Sequence, residues 1–99
     1  MSAMNIVRLR TRPGCEQRLI DYHRNADTSG FSGYRHGWLV HTGERNFYMV
    51  GEWDDFASIE RSRPAMIGVL DGMRELLEVL GDGLGVTDPV SGEVVAEIT

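Results

Sequence analysis

Residues Tyr34 to Trp53 read YRHGWLVHTGERNFYMVGEW, two runs rich in aromatic and apolar side chains on either side of the polar Thr42-Gly-Glu-Arg45. Such a pattern predicts a β-hairpin with strands over 34–41 and 46–53. Symmetric pairing about the turn sets Tyr34 opposite Trp53, Arg35 opposite Glu52, His36 opposite Gly51, Trp38 opposite Met49 and Val40 opposite Phe47. One face of the hairpin then carries Tyr34, His36, Trp38, Val40, Phe47, Met49 and Trp53, and a one-residue slip would exchange the faces. Gly51 leaves a gap in that face where something can approach the sheet, and the gap could open a pocket for a flat, apolar, partly oxygenated ligand. The aromatics could instead simply fill a core.

Upstream, Asn5 to Arg12 alternates as a strand, with Val7, Leu9 and Thr11 on one side and Ile6, Arg8, Arg10 and Arg12 on the other. Pro13-Gly14 ends it. Cys15 to about Asn25 places Leu19, Ile20, Tyr22 and His23 at helical spacing, with Glu16 at the dipole-favoured end. Residues 28–33 form a Ser/Gly loop. Downstream, Asp54-Asp55 caps a short helix through Phe56, Ile59 and Glu60. Pro64 opens a second helix with an apolar stripe from Met66 to Leu80, stopped by Gly81. A turn at Asp88-Pro-Val-Ser-Gly92 then leads to a last strand over 93–98. The order β-α-β-β-α-β predicts a ferredoxin-like α+β fold, a four-stranded antiparallel sheet with both helices on one face. The bare face must be covered, and a second copy packed sheet to sheet does so economically.

The chain has 99 residues, 41% hydrophobic and 25% charged, which suits one globular domain over residues 1–99. A domain of this size buries roughly 60–70% of its unfolded surface, leaving little interior for a deep site unless a partner covers the sheet. All ten basic residues are Arg, and fifteen acids bring the net charge to −5. That balance argues against nucleic acid and against anionic membranes. The single Cys15 permits no intrachain disulfide, and no apolar stretch is long enough to span a bilayer. The N-terminal residues show no leader pattern, so the cytoplasm is the expected location.

Several chemistries fall away. His23, His36 and His41 sit on different elements or opposite strand faces, without the spacing of a metal site. No Gly-x-Gly-x-x-Gly joins a strand to a helix, and no serine has a nucleophile-elbow context.

Thr11-Arg-Pro-Gly14, Gly30-Phe-Ser-Gly33, Gly51-Glu-Trp-Asp-Asp55, and Arg63-Pro-Ala-Met66 through Arg74-Glu-Leu-Leu77 to Gly85-Val-Thr-Asp-Pro-Val-Ser-Gly92 carry a resemblance. In order and spacing, from about Met4 to Ile98, they resemble the antibiotic biosynthesis monooxygenase domain of the dimeric α/β-barrel superfamily. The resemblance implies a homodimer whose sheets form a barrel, with a cavity in each subunit between sheet and helices. Some members of that family oxidise aromatic polycyclic phenols with O₂ and no metal or flavin, and the resemblance makes that chemistry the expectation here. Such chemistry needs a polar group beside the phenol, a dry aromatic cavity and stabilisation of negative charge. His36, Tyr34 and Trp53 are the candidate catalytic residues, Trp53 being the one matched to a functional Trp of the family. Trp38, Met49, Phe47, Arg63 and Arg74 are candidate ligand-binding residues. Haem-degrading relatives resemble this chain only at Trp53, since Val7 stands at their first-strand Asn position and Arg63 near their helical His.

The expected activity is a cofactor-independent monooxygenase acting on a small phenol- or quinol-like molecule, with no metal. The alternatives are a non-catalytic ligand-binding or accessory protein of the same fold, and a structural dimer with a filled core.

Overall fold

A computed structural model describes residues 2–99; the single domain expected over 1–99 also includes Met1, which lies outside the described residues. The elements are β1 (Ala3–Arg10), α1 (Glu16–Arg24), β2 (Tyr34–Gly43), β3 (Asn46–Trp53), α2 (Phe56–Asp71), a 3₁₀ turn (Arg74–Leu76) and β4 (Thr87–Glu93). The strands form one antiparallel sheet in the order β2-β3-β1-β4. The expected ferredoxin-like α+β fold is present.

Alternation along β1 sets the two faces. Ala3, Asn5 and Leu9 are buried toward the helices, whereas Ile6 is exposed on the other side. Leu9, Leu19, Phe47, Met73, Leu76 and Leu77 form one core cluster, and Ala3, Trp53 and Ile59 form a second. Burial of such side chains is worth roughly 1.5–3 kcal/mol each.

Four expectations are corrected. First, the hairpin register slips by one residue beyond Tyr34: His36 pairs with Glu52, Gly37 with Gly51, Trp38 with Val50 and Leu39 with Met49. Arg35 is the extra residue of a β-bulge, and its Nε donates to Asp54 at 2.7 Å instead of facing Glu52. In a regular strand Tyr34 and Gly37 would lie on opposite faces. The bulge brings them to the same one, where a Cβ on Gly37 would collide with the Tyr34 hydroxyl. Second, α2 is one helix running through Pro64. Pro64 removes only the bond to the Glu60 carbonyl, and the buried Ser58, Ile59 and Ser62 hold the helix around that gap. Its start is fixed by Asp55, whose Oδ1 accepts from Ser58 N at 2.8 Å and Ser58 Oγ at 2.7 Å.

Third, α2 ends at Asp71 instead of reaching Leu80. The Tyr22 hydroxyl donates to Val69 O at 2.6 Å and occupies the space where a Cβ on Gly72 would stand. The chain past the 3₁₀ turn runs alongside the end of β1, with Glu78 N donating to Arg10 O at 2.8 Å. Fourth, Asp88-Pro-Val-Ser-Gly92 is strand β4 and not a turn, and residues 94–99 carry no regular structure. Pro89 is tolerated because β4 is an edge strand, where a missing N–H costs no ladder bond on the outer side.

Candidate functional site

A cavity of about 520 Å³ lies between the sheet and the helices, within the range of small-molecule sites. Its floor is Asn5, Val7 and Leu9 of β1 with Met49 and Trp53 of β3. Its roof is His23 of α1 and Ile59, Arg63, Met66, Val69 and Leu70 of α2. Both core clusters border it, so the interior is divided by a space and is not a filled core.

Phe31, Tyr34 and Trp53 wall one end. Tyr34 meets Trp53 edge-on at 5.1 Å between ring centroids and Phe31 at 5.5 Å, while Phe31 and Trp53 lie tilted at 5.6 Å. Geometries of this kind add roughly 0.5–1.5 kcal/mol per pair beyond burial. Trp53 is 1% exposed, and its Nε1 donates to Asn5 Oδ1 at 2.7 Å. Gly51 makes that bond possible: a Cβ there would collide with Asn5 Oδ1 and sit 3.0 Å from Trp53 Nε1. The gap at Gly51 is therefore taken by a side-chain pair. With Oδ1 committed to the indole, the Asn5 NH₂ makes no hydrogen bond among the described residues and is a donor available to the cavity.

Burial raises the Tyr34 phenol above its usual pKa, so at neutral pH it is a donor and not a phenolate. His23 shifts the other way: burial lowers its pKa, and the bond between Nδ1 and the Leu19 carbonyl, at 2.9 Å, only partly offsets this. The ring is neutral at pH 7, with Nδ1–H donating and Nε2 left as an acceptor. That Nε2 is buried and has no hydrogen-bond partner among the described residues. Arg63 brings a cation to the cavity and makes no ion pair among the described residues.

The sequence-derived candidates separate as follows. Tyr34, Trp53, Met49 and Arg63 come together at the cavity. His36 lies on the opposite, exposed face beside Trp38, with 5.9 Å between ring centroids. Trp38 touches the cavity from the edge strand, although its pairing with Val50 sends its side chain to the outer face. Phe47 is buried in the core, stacked on His41 at 4.6 Å, and Arg74 is tied to Asp71 at 2.7 Å away from the cavity. Sequence reasoning missed Asn5 and His23. Asn5 was detectable as a carboxamide in the same alternation as Val7 and Leu9. Nothing in the spacing marks His23, whose role depends on how α1 lies over the sheet.

Among the described residues no group of three or more His, Cys, Asp or Glu is placed to hold a metal ion, and no helix is long and apolar enough to cross a membrane. No protein-family model matches the chain, and no curated protein matches its sequence. Solved structures match it over nearly its whole length. A candidate antibiotic biosynthesis monooxygenase from Chloroflexus aurantiacus J-10-fl is 16% identical with a TM-score of 0.70, over 100% of this chain and 98% of that one. SnoaB, a cofactor-independent oxygenase from Streptomyces nogalater, is 10% identical with a TM-score of 0.73, over 98% and 96%. MhuD, a heme-degrader from Mycobacterium tuberculosis, is 16% identical with a TM-score of 0.65, over 98% and 99%. The chain thus has the fold of the antibiotic biosynthesis monooxygenases. Identities this low carry the fold and not the activity.

Proposed function

We propose that this chain binds a small phenol- or quinol-like aromatic in the cavity and oxidises it with O₂ as a cofactor-independent monooxygenase. The observation that carries the reading is a cavity of about 520 Å³ walled by Phe31, Tyr34 and Trp53, with Arg63 among its lining residues. A flat apolar ligand gains aromatic contacts there, and developing negative charge on its oxygen is stabilised by Arg63, the Asn5 NH₂ and the Tyr34 hydroxyl. The substrate itself supplies the electrons: an anthrone CH₂ loses both hydrogens, or a naphthol loses one ring C–H and one O–H hydrogen, as that carbon becomes C=O with one atom of O₂, and the other atom leaves with the two hydrogens as water. Haem fits less well, since Arg63 stands near the position where haem-degrading relatives have a His, and Val7 where they have an Asn.

The active unit in this reading is a homodimer. Trp38, Val40, Tyr48, Ile6 and Val90 leave apolar surface on the sheet face away from the helices, and a second copy packed on that face would cover it.

Oxygen uptake by the purified protein with a panel of dihydroxynaphthalenes and anthrones tests the proposal. Turnover without added metal or flavin is expected. Tight binding without oxygen consumption would leave the non-catalytic binding protein as the correct reading, and absence of binding would remove both.

A further inference from the structure

The Nε2 atom of His23 stands out because nearly every buried polar atom in a folded protein has a partner. Among the described residues it is the one buried side-chain nitrogen or oxygen atom without a partner, and it belongs to a half-buried ring at the cavity wall. The opposite ring nitrogen settles what Nε2 can do. Nδ1 lies 2.9 Å from the Leu19 carbonyl, which only accepts, so Nδ1 carries the proton and Nε2 presents a lone pair. A buried lone pair without a donor is a standing cost, and a ligand that brings an O–H removes it.

We propose that His23 determines specificity in this cavity, its Nε2 accepting a hydrogen bond from a hydroxyl of the aromatic ligand and so selecting phenols over ethers or hydrocarbons of the same shape. The assignment rests on the cavity being the ligand site. In the same site the Asn5 NH₂ and Arg63 can only donate to the ligand's oxygen lone pairs, while the Tyr34 hydroxyl both donates and accepts. His23 supplies a complementary acceptor. Nε2 is covered at the wall, so a ligand reaches it by displacing a neighbouring side chain. The lining includes Met66 and Met73, whose unbranched chains shift at low cost. The sequence left His23 as a helix residue of no special role, and the expected polar group, His36, lies on the far side of the sheet.

The test compares 2-naphthol with 2-methoxynaphthalene, which has the same rings but no O–H, by titration calorimetry. The wild-type protein is expected to favour 2-naphthol by on the order of tenfold. His23→Asn keeps a donor for the Leu19 carbonyl and removes Nε2, so the preference should fall to near parity while 2-methoxynaphthalene binds as before. An unchanged preference in His23→Asn, or none in the wild type, overturns the role of His23 and leaves the cavity reading standing. Failure of both compounds to bind overturns the cavity reading and the inference with it. Should His23→Asn not fold, ¹⁵N spectra of the wild-type imidazoles decide. Nε2 of His23 must shift on binding 2-naphthol and not on binding the ether, and an unmoved Nε2 in the 2-naphthol complex sinks the proposal.

Discussion

Trp53 and Asn5 are joined across neighbouring strands by a buried hydrogen bond of 2.7 Å, made in space that Gly51 leaves empty. Three residues thus depend on one another: the indole needs an acceptor, the acceptor needs room, and the room exists only because Gly51 has no side chain. Asn5→Leu should leave the indole N–H buried and unpaired, at a cost of roughly 1–3 kcal/mol. Gly51→Ala should cost a similar amount, about 1–3 kcal/mol, by forcing the carboxamide aside. Urea unfolding followed by far-UV circular dichroism measures both; wild-type midpoints in the two variants would show that the bond carries no stability.

The pH dependence of stability should carry a signature of His23. Burial lowers its pKa in the folded protein below the ordinary 6.5. The unfolded chain therefore takes up a proton more readily than the native one, and falling pH favours unfolding. Stability from this group is intact above about pH 6.5 and is lost progressively as pH falls from there through the lowered native value. His23→Asn should flatten that part of the profile. The check is the urea midpoint of both proteins at about pH 7.5 and about pH 5.5, on either side of the ordinary imidazole pKa. Equal losses in the two proteins would contradict the buried, neutral imidazole.

A second acid-sensitive point is Glu78. Its carboxylate accepts from Arg45 at 3.0 Å and from Arg10 Nε at 2.6 Å, tying the segment after α2 to the hairpin turn and the end of β1. The hydrogen bond from Arg45, then that from Arg10, holds its pKa below 4.5. The native state thus binds the proton less readily than the unfolded chain. The contribution is present above about 4.5 and disappears as pH falls through the lowered native value. Glu78→Gln should lower Tm at neutral pH, with the difference from wild type shrinking in acid and in high salt, because the pair is partly exposed. A difference independent of pH and salt would assign the effect to packing instead.

Local patterns made most of the fold legible, and the losses occurred where a tertiary contact overrode a local rule. The hairpin over Tyr34–Trp53 was readable from composition, yet its register depended on two irregularities, one between His41 and Gly43 that offsets the strand by one residue and the Arg35 bulge that brings Tyr34 back opposite Trp53, with Arg35 bonded to Asp54. Asp88-Pro-Val-Ser-Gly92 has the residues of a turn and becomes a strand because β1 pairs with it. The stripe from Met66 to Leu80 reads as one helix, but Tyr22 on Val69 and Glu78 on Arg10 divide it. At the site, Tyr34, Trp53, Met49 and Arg63 were accessible from pattern and resemblance. His23 was not, since its significance lies in one unpartnered nitrogen.

The outer face of the sheet yields the last prediction. Trp38 is 51% exposed and Val90 61%, with Val40, Tyr48 and Ile6 between them on adjacent strands. Two such faces packed against each other would bury these side chains in an inter-sheet layer about 10 Å thick. Trp38 would lose the most water-exposed surface in that arrangement, so a charge there should be the most disruptive single change. Wild-type protein is expected to have twice the 11.1 kDa chain mass in solution by light scattering, and Trp38→Glu to shift toward a single chain. A wild-type monomer would refute the dimer, whereas a dimeric Trp38→Glu would place the interface elsewhere on the molecule.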